Sequence, residues 1–155
     1  MAHYHSPKSE ELFWPVVRYL LQHPGVQTLV LPRTRSQGAC IAKKAGPSRN
    51  LLIPENVLHG PNLLWHADLM IGGGGTMNRE AACLGVPVYT FFGGRLGAVD
   101  RHLIQQGKLS LLHSASQVEE VCLGKRLLPA APPPRDSGRR VLDSIVERVL
   151  EVVLN

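Results

Sequence analysis

Residues 68–80, Asp-Leu-Met-Ile-Gly-Gly-Gly-Gly-Thr-Met-Asn-Arg-Glu, carry the densest chemistry in the chain. Gly72, Gly73, Gly74 and Gly75 stand between an apolar run that reads as a buried strand and a segment with helical spacing. Without Cβ atoms the backbone can turn sharply and bring its N–H groups close to a ligand, at a helix end whose dipole favours negative charge. The pattern is that of an anion site. It is not the dinucleotide fingerprint G-x-G-x-x-G, because Met occupies position 77, and it lacks the lysine of a P-loop. Thr76 is placed to cap the helix, while Arg79 stands where a capping box would have Glu or Gln. At ~100° per residue, Met77, Ala81 and Leu84 form the buried stripe, Glu80 lies at its edge, and Arg79 points roughly opposite. Glu80 has no local capping duty. It can accept two hydrogen bonds from a ribose diol one turn above the glycines, or be an ordinary acid favoured by the helix dipole.

A second glycine-rich loop, Thr90-Phe-Phe-Gly-Gly-Arg-Leu-Gly97, follows the next strand and leads into a helix opened by Ala98-Val-Asp100. Ligands of open α/β sheets bind at such carboxyl ends. Arg95 could pair with a phosphate and Asp100 with a sugar hydroxyl, with Gly93 and Gly94 in the same loop on the sugar side; equally, Arg95 reads as a solvated loop arginine and Asp100 as a helix N-terminal acid. His3 and His5 are close enough to share a metal, but no further ligands follow at metal spacing, so no metal site is expected. Cys40, Cys83 and Cys122 are far apart and form no C-x-x-C pair; they read as reduced thiols.

Helices and strands must position these loops. Helical spacing covers Glu11–Leu21, with a kink expected at Pro15, then Gln37–Ala45, Asn62–His66, Met77–Leu84 and Val99–Gln106. Between them lie short apolar strands at 27–31, 51–54, 68–71, 88–92 and 109–112, and Ser116 is placed to cap a short helix running to Leu123. Strands alternating with helices predict an α/β, Rossmann-like fold with a doubly wound parallel sheet covered on both faces. The chain enters almost directly into a helix where a parallel sheet usually begins with a strand. The first strand is therefore expected to be missing, as in a truncated chain. Residues 1–127 form this domain, residues 128–138, with Pro132-Pro-Pro134, a linker, and residues 139–155 an amphipathic helix that must pack on the domain, a partner or a second copy.

Composition narrows the classes. The 155 residues are 44% hydrophobic, 19% charged and 5% aromatic, which suits one globular core of aliphatic residues. Seventeen basic and twelve acidic residues leave +5, a field that suits an anionic ligand, but no aromatic-interleaved basic stripe points to nucleic acid. No run approaches the ~20 apolar residues of a membrane span, and no signal peptide is evident, so a soluble cytoplasmic protein is expected.

Residues 72–82 (Gly-Gly-Gly-Gly-Thr-Met-Asn-Arg-Glu-Ala-Ala), Leu84-Gly-Val-Pro87, Gly97-Ala-Val-Asp-Arg101, Leu31-Pro-Arg-Thr-Arg35 and Ala2-His-Tyr-His5 resemble domain-of-unknown-function family 354 as far as about Leu112. That family is similar to the non-hydrolysing UDP-N-acetylglucosamine 2-epimerases and to two-Rossmann-domain (GT-B) glycosyltransferases. The resemblance implies the carboxyl-terminal, nucleotide-sugar-binding half of such a protein, with UDP or a UDP-sugar as ligand and no separate cofactor. Aligned through Leu84-Gly85, the epimerases' diphosphate-binding Ser-Gly-Gly loop falls on Gly74, Gly75 and Thr76, and their ribose-binding glutamate on Glu80. The serine hydroxyl is then absent or replaced by Thr76. Their histidine-bearing loop corresponds loosely to His3 or His5, the only candidates for a catalytic group. Their acid/base carboxylates lie mainly in an amino-terminal domain, so a complete enzyme is not expected from this chain alone. The alternative is a non-enzymatic module that self-associates as a homodimer through a sheet edge or the last helix. An intact small NAD- or phosphate-binding protein is disfavoured by the failed fingerprints.

Overall fold

The computed structural model describes residues 7–128 and 135–154, so His3 and His5 lie outside the described residues. In chain order the elements are α1 (Pro7–Leu21), β1 (Thr28–Leu29), α2 (Arg35–Ala45), β2 (Leu51–Leu52), α3 (Gly60–His66), β3 (Met70–Gly72), α4 (Thr76–Cys83), β4 (Val88–Thr90), α5 (Ala98–Gln105) and β5 (Ser110–Leu111). A 3-10 helix (Ala115–Glu120) and α6 (Arg135–Leu154) follow. Helix α1 continues through Pro15. Helix α2 starts where Thr34 Oγ1 accepts the Gln37 N–H at 3.1 Å and stops at Gly46, whose φ of +74° suits glycine.

All strand pairs are parallel, but they form two sheets, β1-β2 and β3-β4-β5, where the sequence suggests one. In the first, Thr28 N donates to Asn50 O at 2.7 Å and Val30 N to Leu52 O at 2.9 Å. In the second, Met70, Ile71 and Gly72 face Val88, Tyr89 and Thr90, and Tyr89 and Thr90 face Ser110 and Leu111. No strand ladder joins β1 to β3, which divides the sheet. Alternation along the strands separates two cores. Val88 and Met70 pack with Leu64, Ala81, Ala82 and Leu103 beneath α3, α4 and α5. Tyr89, Ile71 and Leu69 pack on the other face with Leu12 and Val16 of α1 and Val118 of the 3-10 helix. The three-stranded sheet is thus covered on both faces, as a doubly wound α/β unit requires.

Two boundaries differ from the sequence reading. The helix expected from Ser116 to Leu123 is the 3-10 turn, with extended Ser114 ahead of it; the Ser116 hydroxyl lies 2.8 Å from that of Ser114 and caps no helix. Helix α6 begins at Arg135, inside the stretch read as linker. Along α6, Leu142, Ile145, Val149 and Val152 are all exposed. No helix of the described residues is long and apolar enough to cross a membrane.

Candidate functional site

The carboxyl ends of β3 and β4 carry both glycine-rich loops, and parallel pairing of Gly72 with Thr90 sets the loops side by side. After β3 the backbone turns through Gly74 (φ +101°) and Gly75 (φ +99°), a region that L side chains avoid. Gly75 is the N-cap of α4, and Thr76 is the first helical residue, exposed, with no side-chain cap bond. The cap expected of Thr76 fails because the glycine turn itself supplies the non-helical geometry. Gly72 is tight for another reason: a Cβ there would lie 2.5 Å from Asn78 Oδ1.

Asn78 is only 1% exposed; its Nδ2 reaches Gly72 O at 3.4 Å, and its Oδ1 is buried without a partner. The face of α4 that meets the core is therefore Asn78, Ala81 and Ala82, with Met77 and Leu84 partly buried beside it. Glu80 is half-buried one turn beyond the glycines, and its carboxylate has no partner among the described residues. Arg79, expected to face away, instead reaches the neighbouring helix. Its Nε and Nη2 donate to Asp100 Oδ1 and Oδ2, both at 2.8 Å. Asp100, third residue of α5, is 9% exposed. The Arg79 hydrogen bonds hold its carboxyl below the usual range, against the upward pull of burial, and the Arg79 charge and the Gly97 backbone bond act in the same downward direction. The pair ties the start of α5 to the middle of α4. A lone arginine and a lone first-turn acid on successive helices were the available sequence signal for it.

A cavity of about 220 Å³ sits between the loops, lined by Gly74, Gly75, Arg79, Thr90, Phe92, Arg95, Leu96, Gly97 and Asp100. Of the expected ligand-binding residues, it brings together Gly74, Gly75, Arg95 and Asp100. Gly93 and Gly94 line an adjoining chamber of about 420 Å³, while Gly72, Gly73, Thr76 and Glu80 line neither. Arg95 is exposed, borders both spaces, and makes no hydrogen bond or ion pair among the described residues. Phe92 was not foreseen. Its ring would lie 3.1 Å from a Cβ on Gly74 and 2.6 Å from one on Gly94, so it roofs part of the glycine turn and separates the two spaces. Chemically the smaller cavity offers a helix N-terminus, one uncommitted guanidinium and a neutralised carboxylate, a set that suits a small anion. Among the described residues no three His, Cys, Asp or Glu side chains converge as a metal site.

The uncharacterized protein MJ0665 of Methanocaldococcus jannaschii is 30% identical to this chain over 115 residues, 72% of the chain and 32% of that protein. The chain thus spans about a third of the length of the curated relative it matches. No solved structure matches. The match to the family described as "Protein of unknown function (DUF354)" extends from residue 2 to residue 155, past Leu112 and through α6, and the chain belongs to that family.

Proposed function

We propose that this chain is the nucleotide-sugar-binding, carboxyl-terminal domain of a GT-B-type glycosyltransferase or epimerase-like protein. The observation that carries the reading is the 220 Å³ cavity, lined by both the Gly74–Gly75 turn at the start of α4 and Arg95. The diphosphate of UDP would lie there, on main-chain N–H groups and the Arg95 fork, with Glu80 accepting from the ribose and the Gly93–Asp100 loop beside the sugar. Asp100 would act mainly by fixing that loop, since its oxygens already receive Arg79. The Phe92 ring would turn from Gly74 as the ligand enters.

Catalysis would then require a partner domain, as would any role for His3 or His5. Calorimetric titration with UDP and with UDP-N-acetylglucosamine tests the reading. Binding is expected in the native chain and about tenfold weaker or more in Glu80→Ala, the worth of hydrogen bonds to a charged group. Absence of heat from the native chain overturns it. A second reading, a non-enzymatic self-associating module, is favoured by the exposed apolar stripe of α6. Light scattering separates the two, since a dimer indifferent to nucleotide supports assembly.

A further inference from the structure

The 420 Å³ chamber behind Phe92 differs in character from the cavity at the glycine turn. Its floor is made by Leu12, Phe91, Leu111 and Leu112, at the open end of the core between α1 and the three-stranded sheet. Three of these side chains are 8% exposed or less, so the floor is rigid, and the volume is that of a small-molecule site. The polar side chains lining it are Arg95, Arg101 and His113, with no carboxylate, amide or hydroxyl among the described lining residues. Arg101 Nη1 donates to Leu96 O at 2.6 Å, whereas Arg95 makes no hydrogen bond or ion pair among the described residues. With no carboxylate or amide side chain to read them, sugar hydroxyls or a nucleobase edge would depend on loop carbonyls and the His113 ring. A hydrocarbon group would cover apolar surface instead, and an anionic head would meet Arg95 at the mouth.

We propose that this chamber binds an amphiphilic phosphate, a hydrocarbon group in the apolar floor with its phosphate on Arg95. The assignment shares Arg95 with the proposed nucleotide site but not the apolar floor, so a floor variant separates the two.

The test is calorimetric titration of the full chain with decyl phosphate below its micellar concentration, with inorganic phosphate and with decyltrimethylammonium. Decyl phosphate is expected to bind about a hundredfold more tightly than inorganic phosphate, the return on burying a few methylenes. The cation is expected to bind at least about tenfold more weakly than decyl phosphate, for want of charge-assisted bonds. Arg95→Gln, an exposed change that leaves the fold intact, is expected to weaken decyl phosphate about tenfold. Leu111→Trp, which fills a half-buried part of the floor, is expected to abolish the advantage of the alkyl chain while leaving inorganic phosphate unchanged. The UDP titration of the same two variants keeps the outcomes apart, since Leu111→Trp should not alter it. The proposal is overturned if decyl phosphate binds no better than inorganic phosphate, if the alkyl cation binds equally well, or if folded Arg95→Gln retains full affinity.

Discussion

Replacing Arg79 by Met removes both hydrogen bonds to Asp100 while keeping an unbranched apolar stem. Asp100 is then left with the Gly97 amide in a site where its side chain is 12% exposed, whereas Arg79 itself is 36% exposed and half in water. A hydrogen bond to a charged group contributes about 1.5–3 kcal/mol, and the exposure of the arginine places this pair near the lower end, about 2 kcal/mol. For a chain of this size that is a fall of about 4–8 °C in thermal midpoint. Asp100→Asn should cost less, because the stranded guanidinium can turn to solvent. The pH dependence has a definite sign. The folded carboxyl titrates below its ordinary value, so its contribution is complete above about pH 5 and fades as the pH falls below about 4. Thermal unfolding of the native chain, both single variants and the double variant, followed by circular dichroism at pH 7 and pH 3.5, checks this. A loss under about 0.5 kcal/mol for Arg79→Met at pH 7, the range of an inconsequential surface change, would refute the reasoning. So would a penalty that persists undiminished at pH 3.5.

Gly74→Ala places a side chain at φ +101° and against the Phe92 ring, and should destabilise the chain by about 1–3 kcal/mol in denaturant titration. Gly72→Ala collides with the buried Asn78 amide, and should lose about 1–3 kcal/mol, part of which Asn78→Ala in the same chain restores. Phe92→Ala opens the roof over the glycine turn, and is expected to strengthen phosphate binding measured by calorimetry. Ending the chain at Leu128 removes α6 with its exposed apolar stripe, and should leave the unfolding midpoint unchanged while abolishing any dimer seen by light scattering.

The elements were legible because their signals are local. Short apolar runs with Gly or Pro at one or both ends mark the five strands of the described residues, and the four glycines after Ile71 announce the turn that Gly74 and Gly75 make. What was hidden depends on which segments meet. Arg79 looks like a solvent residue on a helical wheel, and only the packing of α5 beside α4 supplies its carboxylate. Asn78 is polar and yet fully buried, because the adjacent glycine leaves room for an amide under the loop. Phe92 reads as the end of a strand, and its position over Gly74 follows from the register of β3 against β4.

Five strands in one sheet have two borders; in two sheets they have four, here on strands of only two or three residues. The β1-β2 pair has a ladder of only two residues, and among the described residues none of its side chains joins either core of the three-stranded sheet. Its amides should therefore exchange with deuterium well before those of β4, which is paired on both sides. The domain would come apart in two stages, the β1-β2 pair first and the three-stranded sheet with α1 after it.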